Sequence, residues 1–203
     1  MSVDPEYFVA LYRREADPWR FETSEYEREK YAKTLSVLRS RYRRAVEIGC
    51  SIGVFTRLLA DRCDELIGLD VSPDALARAS ARCATHSNVS FSLAAVPEGF
   101  PQGPFDLVTL CEVGFYLCPR DLLDLRERVN ESLVTSGHLI LVHWTPRVNG
   151  HAMTTEAVHA AFVSDARLLR TAHYRHATYV LDLFEKLGGS AGSFGKALAV
   201  GEG

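Results

Sequence analysis

The chain carries two textures of hydrophobic and polar positions. Through about residue 40 it is charged and aromatic. Asp17-Pro18-Trp19-Arg20-Phe21 forms a turn-like break there. Glu25 to Leu38 then reads as a helix, because Tyr31, Leu35 and Leu38 recur at spacings of four and three. From residue 45 short apolar runs alternate with helical stretches. Ala45 to Ile48, Glu65 to Leu69, Val89 to Leu93, Phe105 to Cys111 and His138 to His143 read as buried strands. Between them, Val54 to Arg62, Pro73 to Cys83 and Pro119 to Leu133 read as helices. Ser72 supplies an N-cap and Pro73 a first helical position. Leu122, Leu125, Val129 and Leu133 form one stripe of the last of these. Residues 97–104 hold three prolines and two glycines and read as loop.

After residue 150 the pattern predicts a helix over 154–163. Leu168 to Tyr174 and Tyr179 to Phe184 then read as an antiparallel strand pair joined by a turn around 175–177, with a helix as the alternative. Gly188 to Gly203 is rich in glycine, alanine and serine and reads as a frayed tail. Strands alternating with helices imply βαβ units and a parallel sheet. The expected organisation is one domain over 1–187. Residues 1–44 form an N-terminal helical cover and 45–187 the α/β core.

Composition narrows the function classes. Lys and Arg number 23 against 26 Asp and Glu, a net charge of −3. That lacks the basic excess of a nucleic-acid binder or a polybasic membrane protein. No run is long enough to span a bilayer, and the first ten residues lack a signal-peptide layout. The five cysteines, Cys50, Cys63, Cys83, Cys111 and Cys118, are odd in number and never C-x-x-C. A reduced, cytoplasmic protein without a metal site is the expectation. His173 and His176 lie at i, i+3 with no obvious carboxylate companion in sequence.

In parallel sheets, ligands sit beyond the carboxyl ends of the strands. After the first strand comes Glu47-Ile48-Gly49-Cys50-Ser51-Ile52-Gly53. Gly49 permits a sharp turn and Gly53 a close ligand approach at a helix N-terminus. The spacing G-x-x-x-G departs from the dinucleotide fingerprint G-x-G-x-x-G. The second strand ends at Asp70, twenty-three positions after Glu47, where a carboxylate reaches a ribose diol. Together these mark a nucleoside site, and they leave NAD and S-adenosylmethionine both open.

V-E-I-G-C-S-I-G (46–53), L-I-G-L-D-V-S (66–72) and F-D-L-V-T-L-C-E-V (105–113) resemble successive motifs of class I S-adenosylmethionine-dependent methyltransferases. D-P-W-R-F (17–21), Y-E-R-E-K-Y (26–31) and E-V-G-F-Y-L (112–117) resemble more narrowly the nodulation protein S (NodS-like) methyltransferases. Members of that group methylate an amino group on a chito-oligosaccharide. The resemblance implies a Rossmann-like three-layer α/β sandwich. Its mostly parallel sheet would have seven strands, with the last pair antiparallel. S-adenosylmethionine would be the cofactor, and a small molecule, an amine on a sugar-like acceptor, the partner. It also implies that the N-terminal segment, with Trp19, Tyr26, Lys30 and Tyr31, folds over the cofactor.

Two positions depart from the resembled pattern. Ser51 stands where the first motif has a middle glycine, and its hydroxyl can reach the cofactor carboxylate. Ala95 stands where an Asp usually accepts from adenine, leaving backbone groups near Ala95 and Val96. The resemblance places Glu112 near the methionine part of the cofactor or the acceptor. Tyr116, four residues on, can point the same way. His143 follows the fifth strand and is a candidate general base or acceptor-binding group, with a hydrogen-bonded structural histidine as the alternative. Trp144 offers a flat face for sugars or cations. The expected roles are therefore catalysis by Glu112 and His143, and cofactor binding by Glu47, Gly49, Ser51, Gly53, Asp70, Ala95, Val96 and Glu112. Acceptor binding falls to Trp19, Tyr116, His143 and Trp144. A hydroxyl or carboxylate acceptor, a non-catalytic nucleoside-binding module and an NAD oxidoreductase are the alternatives. The glycine spacing speaks against the last.

Overall fold

Seven strands between Tyr42 and Lys186 form one sheet in the computed structural model, which describes residues 1–146 and 150–188. In chain order, the helices α1 (Pro5–Arg14) and α2 (Glu25–Val37) precede β1 (Tyr42–Ile48). Then come α3 (Val54–Ala60), β2 (Cys63–Asp70), α4 (Pro73–Arg82), β3 (Val89–Leu93) and β4 (Phe105–Cys111). A 3₁₀ turn (Gly114–Tyr116) leads to α5 (Pro119–Ser132), β5 (Leu133–Trp144), α6 (Thr155–Val163), β6 (Leu168–Arg175) and β7 (Tyr179–Lys186). The sheet order is β3-β2-β1-β4-β5-β7-β6. β7 alone runs against its neighbours β5 and β6, so the sheet is otherwise parallel. This is the expected Rossmann-like arrangement, with the antiparallel pair in its expected place.

The core lies in two apolar layers, one on each face of the sheet. One is built around Phe105, Leu110, Leu125 and Phe162, the other around Tyr42, Leu59, Leu66 and Leu181. Ser72 caps α4 through its hydroxyl, which accepts from the Ala75 N–H, and Pro73 opens the helix. Two features differ from the sequence pattern. Leu133, the last position of the expected α5 stripe, instead opens β5, where it pairs with Phe105. Leu133 is buried either way, so periodicity alone could not place it. Ser136 adopts φ +60 inside that strand, beside the register shift between Phe105 and Leu107, so β5 passes through Ser136-Gly137 without ending. The N-terminal cover divides into two helices, with Asp4 capping the first.

Among the described residues no helix is long and apolar enough to cross a membrane. The five cysteines are free thiols, and Cys50, Cys63 and Cys83 are buried. Of the expected tail, residues 189–203 lie outside the described part.

Candidate active site

The carboxyl ends of β1, β2 and β4 open into a cavity of about 710 Å³ roofed by α1 and α2. That volume is typical of a small-molecule site. The left-handed turn after β1 shapes its floor. Gly49 adopts φ +75, and a Cβ there would meet Val113 Cγ2 at 2.3 Å. Ser51 also takes a positive φ, +51, and its hydroxyl is hydrogen-bonded to the Tyr12 hydroxyl of α1. The side chain at the missing-glycine position therefore ties the cover to the turn. Asp70, at the end of β2, accepts the Ser51 N–H and the Ser72 N–H, each at 2.9 Å. Burial pushes its pKa up against those bonds. Glu47, 3% exposed, keeps one carboxylate oxygen with no hydrogen-bond partner. Burial raises its pKa to about 7.

The cavity lining is also charged and aromatic. Lys30 Nζ donates to Glu27 Oε1 at 3.0 Å and to Glu112 Oε1 at 2.6 Å. Burial disfavours the Lys30 ammonium, but the Glu112 and Glu27 charges outweigh it and hold its pKa up. Glu112, at φ +57, also accepts the Trp144 N–H at Oε2 (2.8 Å). Tyr26 lies under Lys30, its ring centroid 5.2 Å from Nζ, and meets Trp144 edge to face. Tyr116 and His151 close the wall, and His151 stacks on Phe115 at 4.0 Å.

The Nodulation protein S (NodS) family model matches residues 9–182. The chain belongs to the NodS family. Nodulation protein S of Bradyrhizobium diazoefficiens is 31% identical over 159 residues, 72% of this chain and 73% of that one. The solved N-methyltransferase NodS from Bradyrhizobium japonicum WM9, in complex with S-adenosylhomocysteine, superposes with a TM-score of 0.79 at 24% identity. That match covers 90% of this chain and 98% of the other. A methyltransferase-like protein of Pseudomonas syringae is 34% identical with a TM-score of 0.72, covering 80% and 100%.

In this NodS-family chain, Glu47, Gly49, Ser51, Asp70, Ala95, Val96, Glu112, Tyr116, Trp144 and Trp19 all line the cavity. Gly53 and His143 do not. Gly53 caps α3 at φ +77, and a Cβ there would strike Ala79 of α4 at 2.9 Å. It lets α3 and α4 pack closely, and the cavity lies elsewhere. His143 is 0% exposed, and both its ring nitrogens are engaged. Nε2 accepts the Gly114 N–H at 3.0 Å, and Nδ1 lies 3.1 Å from His159 Nε2. Phe115, which does line the cavity, packs edge-on over its ring. A general base or acceptor contact needs a free nitrogen at the cavity wall, so His143 fills neither role in this geometry.

Sequence reasoning missed Glu27, Glu98 and His151 as lining residues. Glu27 carried a signal: Glu27, Lys30 and Thr34 share one helical face at i, i+3, i+7. That face is ordinarily a solvated one, and here it is buried.

Proposed function

We propose that the protein transfers the methyl group of S-adenosylmethionine to an amine on a small, sugar-like acceptor. Alternating buried strands, the strand-end carboxylates and family membership all support methyl transfer. The residues present suit the cofactor. Asp70 offers acceptor oxygens to a ribose diol, and the unpartnered Glu47 oxygen awaits a cationic donor such as the methionine ammonium. The backbone near Ala95 and Val96 borders the space left for adenine.

When bound, S-adenosylmethionine supplies an electrophilic methyl group, whose bond to sulfur breaks as a bond to the acceptor nitrogen forms, the positive charge passing to that nitrogen. The chain's own task is to align the acceptor, exclude water and relieve it of a proton. An alkylammonium pKa of ~10 leaves little free amine at neutral pH, so the site must lower it. Burial works in that direction, since it disfavours the charged ammonium. Glu112, held by Lys30 and the Trp144 N–H, keeps Lys30 and the turn after β4 in place. Tyr26, Tyr116 and Trp144 give flat faces to a sugar ring.

The observation that carries the reading is the pairing of two carboxylates with one ammonium among aromatic rings, an acidic balance that suits an amine. Its test is release of S-adenosylhomocysteine with D-glucosamine, a glucosamine dimer and matched hydroxyl compounds, the product located by mass spectrometry. The expected result is methylation at nitrogen. Turnover of the hydroxyl compounds alone would replace the amine reading with O-methylation.

A further inference from the structure

We infer that Glu27 receives the acceptor amine and accepts its proton at Oε2; the inference rests on the amine reading above. Two of the buried side-chain atoms without a hydrogen-bond partner belong to residues that line the cavity, Glu47 Oε2 and Glu27 Oε2. Glu47 stands at the cofactor end. Glu27 stands on α2, across Tyr31 from Glu47, and is 7% exposed. A buried carboxylate oxygen left without a donor costs free energy unless a ligand supplies one. Its second oxygen is already bound to Lys30 at 3.0 Å. Oε2 has no partner within hydrogen-bond distance, and the Tyr31 hydroxyl one turn along α2 is the neighbouring donor an entering ammonium must outcompete.

Glu112 is less suited to this task. Each of its oxygens already takes one donor, Lys30 Nζ or the Trp144 N–H, as each Asp70 oxygen does, and can accept only alongside it, whereas Glu27 Oε2 takes none. His143 is closed behind Phe115. An entering ammonium would meet Glu27 Oε2 as its acceptor and Lys30 as a like charge. The proton passes from the acceptor nitrogen to Oε2 and leaves the nitrogen pair free to form the new bond to carbon. The carboxylic acid then releases the proton to solvent after the product leaves.

The groups acting on Glu27 are Lys30 and Tyr31 from its own helix and Glu112 from the turn after β4. Tyr26, the residue before it in the first turn of α2, also feels its charge. Burial first, then the Glu112 charge, raises the Glu27 pKa above the ordinary carboxylate value, against Lys30. A group so shifted is a better base than an exposed carboxylate.

The test compares wild type, Glu27→Gln and Glu27→Asp as full-length proteins, with D-glucosamine and n-butylamine as probes. Steady-state rates are taken from pH 6 to 9.5, and S-adenosylmethionine affinity is measured separately by calorimetry. In Glu27→Gln, kcat should fall by about 10²-fold at pH 7. Cofactor affinity should stay within about twofold, because the methionine and ribose groups are held elsewhere. The gap to wild type should narrow towards pH 9.5, where the amine loses its proton to solvent. Glu27→Asp should keep the wild-type pH profile at a lower rate. Unchanged kcat at pH 7, or a loss equal at every pH, overturns the assignment to Glu27. Wild type inactive with both amines but active with hydroxyl acceptors overturns the amine reading itself, and that result needs no variant.

Discussion

Two buried polar networks grip the segment from Glu112 to Tyr116, and they are finished to different degrees. One faces the cavity: Glu27, Lys30 and Glu112. The other lies behind the wall. There Gly114 N–H enters His143, His143 Nδ1 meets His159 Nε2, and His159 Nδ1 meets Asp182 Oδ2 at 2.7 Å. His173 Nδ1 reaches Asp182 Oδ1, also at 2.7 Å. The backbone donor fixes the protons of this chain. Because Nε2 of His143 accepts, its proton sits on Nδ1, and the next proton sits on Nδ1 of His159, pointing at Asp182. Gly114 allows the approach, since a Cβ there would lie 2.9 Å from His143 Nε2. In this second network each ring nitrogen of His143 and His159 and both Asp182 oxygens have partners. In the first, one oxygen has none. A network satisfied within the protein holds a shape, whereas one left a donor short presents a place for a ligand.

The strongest way to break that distinction is to open the closed network. Asp182 is 1% exposed. Burial raises its pKa, but the hydrogen bonds from His159 and His173 outweigh that and hold it below the usual range. Asp182→Ala leaves the His159 N–H without its acceptor and should cost about 3 kcal/mol of folding stability, read from denaturant midpoints. S-adenosylmethionine affinity of the folded protein should be unchanged. Glu27→Gln should do the reverse, with stability shifting by less than about 1 kcal/mol while turnover collapses. A stable Asp182→Ala would show that the histidine chain does little to hold the fold.

Acidity separates the histidine chain from the β1 end of the cavity wall by sign. Burial depresses His143 well below its ordinary value. The unfolded chain therefore binds the extra proton, and this contribution to stability is lost as pH falls below about 6.5. Glu47 behaves in the opposite way. Its folded pKa of about 7 exceeds the ordinary 4.5, so its protonated form favours the fold and that contribution fades as pH rises from 4.5 through 7. Glu47→Gln should therefore gain on wild type by roughly 3 kcal/mol between pH 4.5 and pH 8. Chemical denaturation at both pH values measures it. An equal difference at both would show that Glu47 keeps its ordinary pKa, for example by meeting a cation in the free protein.

The cavity floor and the histidine chain behind its wall were unequally legible in the sequence. The turn after β1 and Asp70 sit at strand ends joined by short, local spacings, so sequence offset stood in for distance. The histidine chain draws on β5, α6, β6 and β7, which the sheet brings together only through the antiparallel return of β7. Asp182 gave no local sign that it would complete His159 and His173. Proximity to a strand end suggested that His143 would face the cavity. The 3₁₀ turn at Gly114–Tyr116 instead folds Phe115 across it. Lys30 and Glu27 were readable as a helical pair. Their burial was not, because a charged i, i+3 face is normally solvated.

The mildest test sits at the outer end of the closed network. The His173 side chain is 46% exposed, and its bond to Asp182 competes with water. His173→Asn removes one of the three side chains that reach Asp182, while His159 and Arg170 remain. Solvent screening at this rim should hold the loss to about 0.5 kcal/mol, a small shift in melting temperature. Because the chain from Asp182 inward stays satisfied, Gly114 should keep its place and kcat with D-glucosamine should match wild type. A tenfold fall in kcat at unchanged stability would mean that the outer histidine reaches the cavity through His159 and His143. The boundary between the two networks would then lie at the protein surface instead of at Phe115.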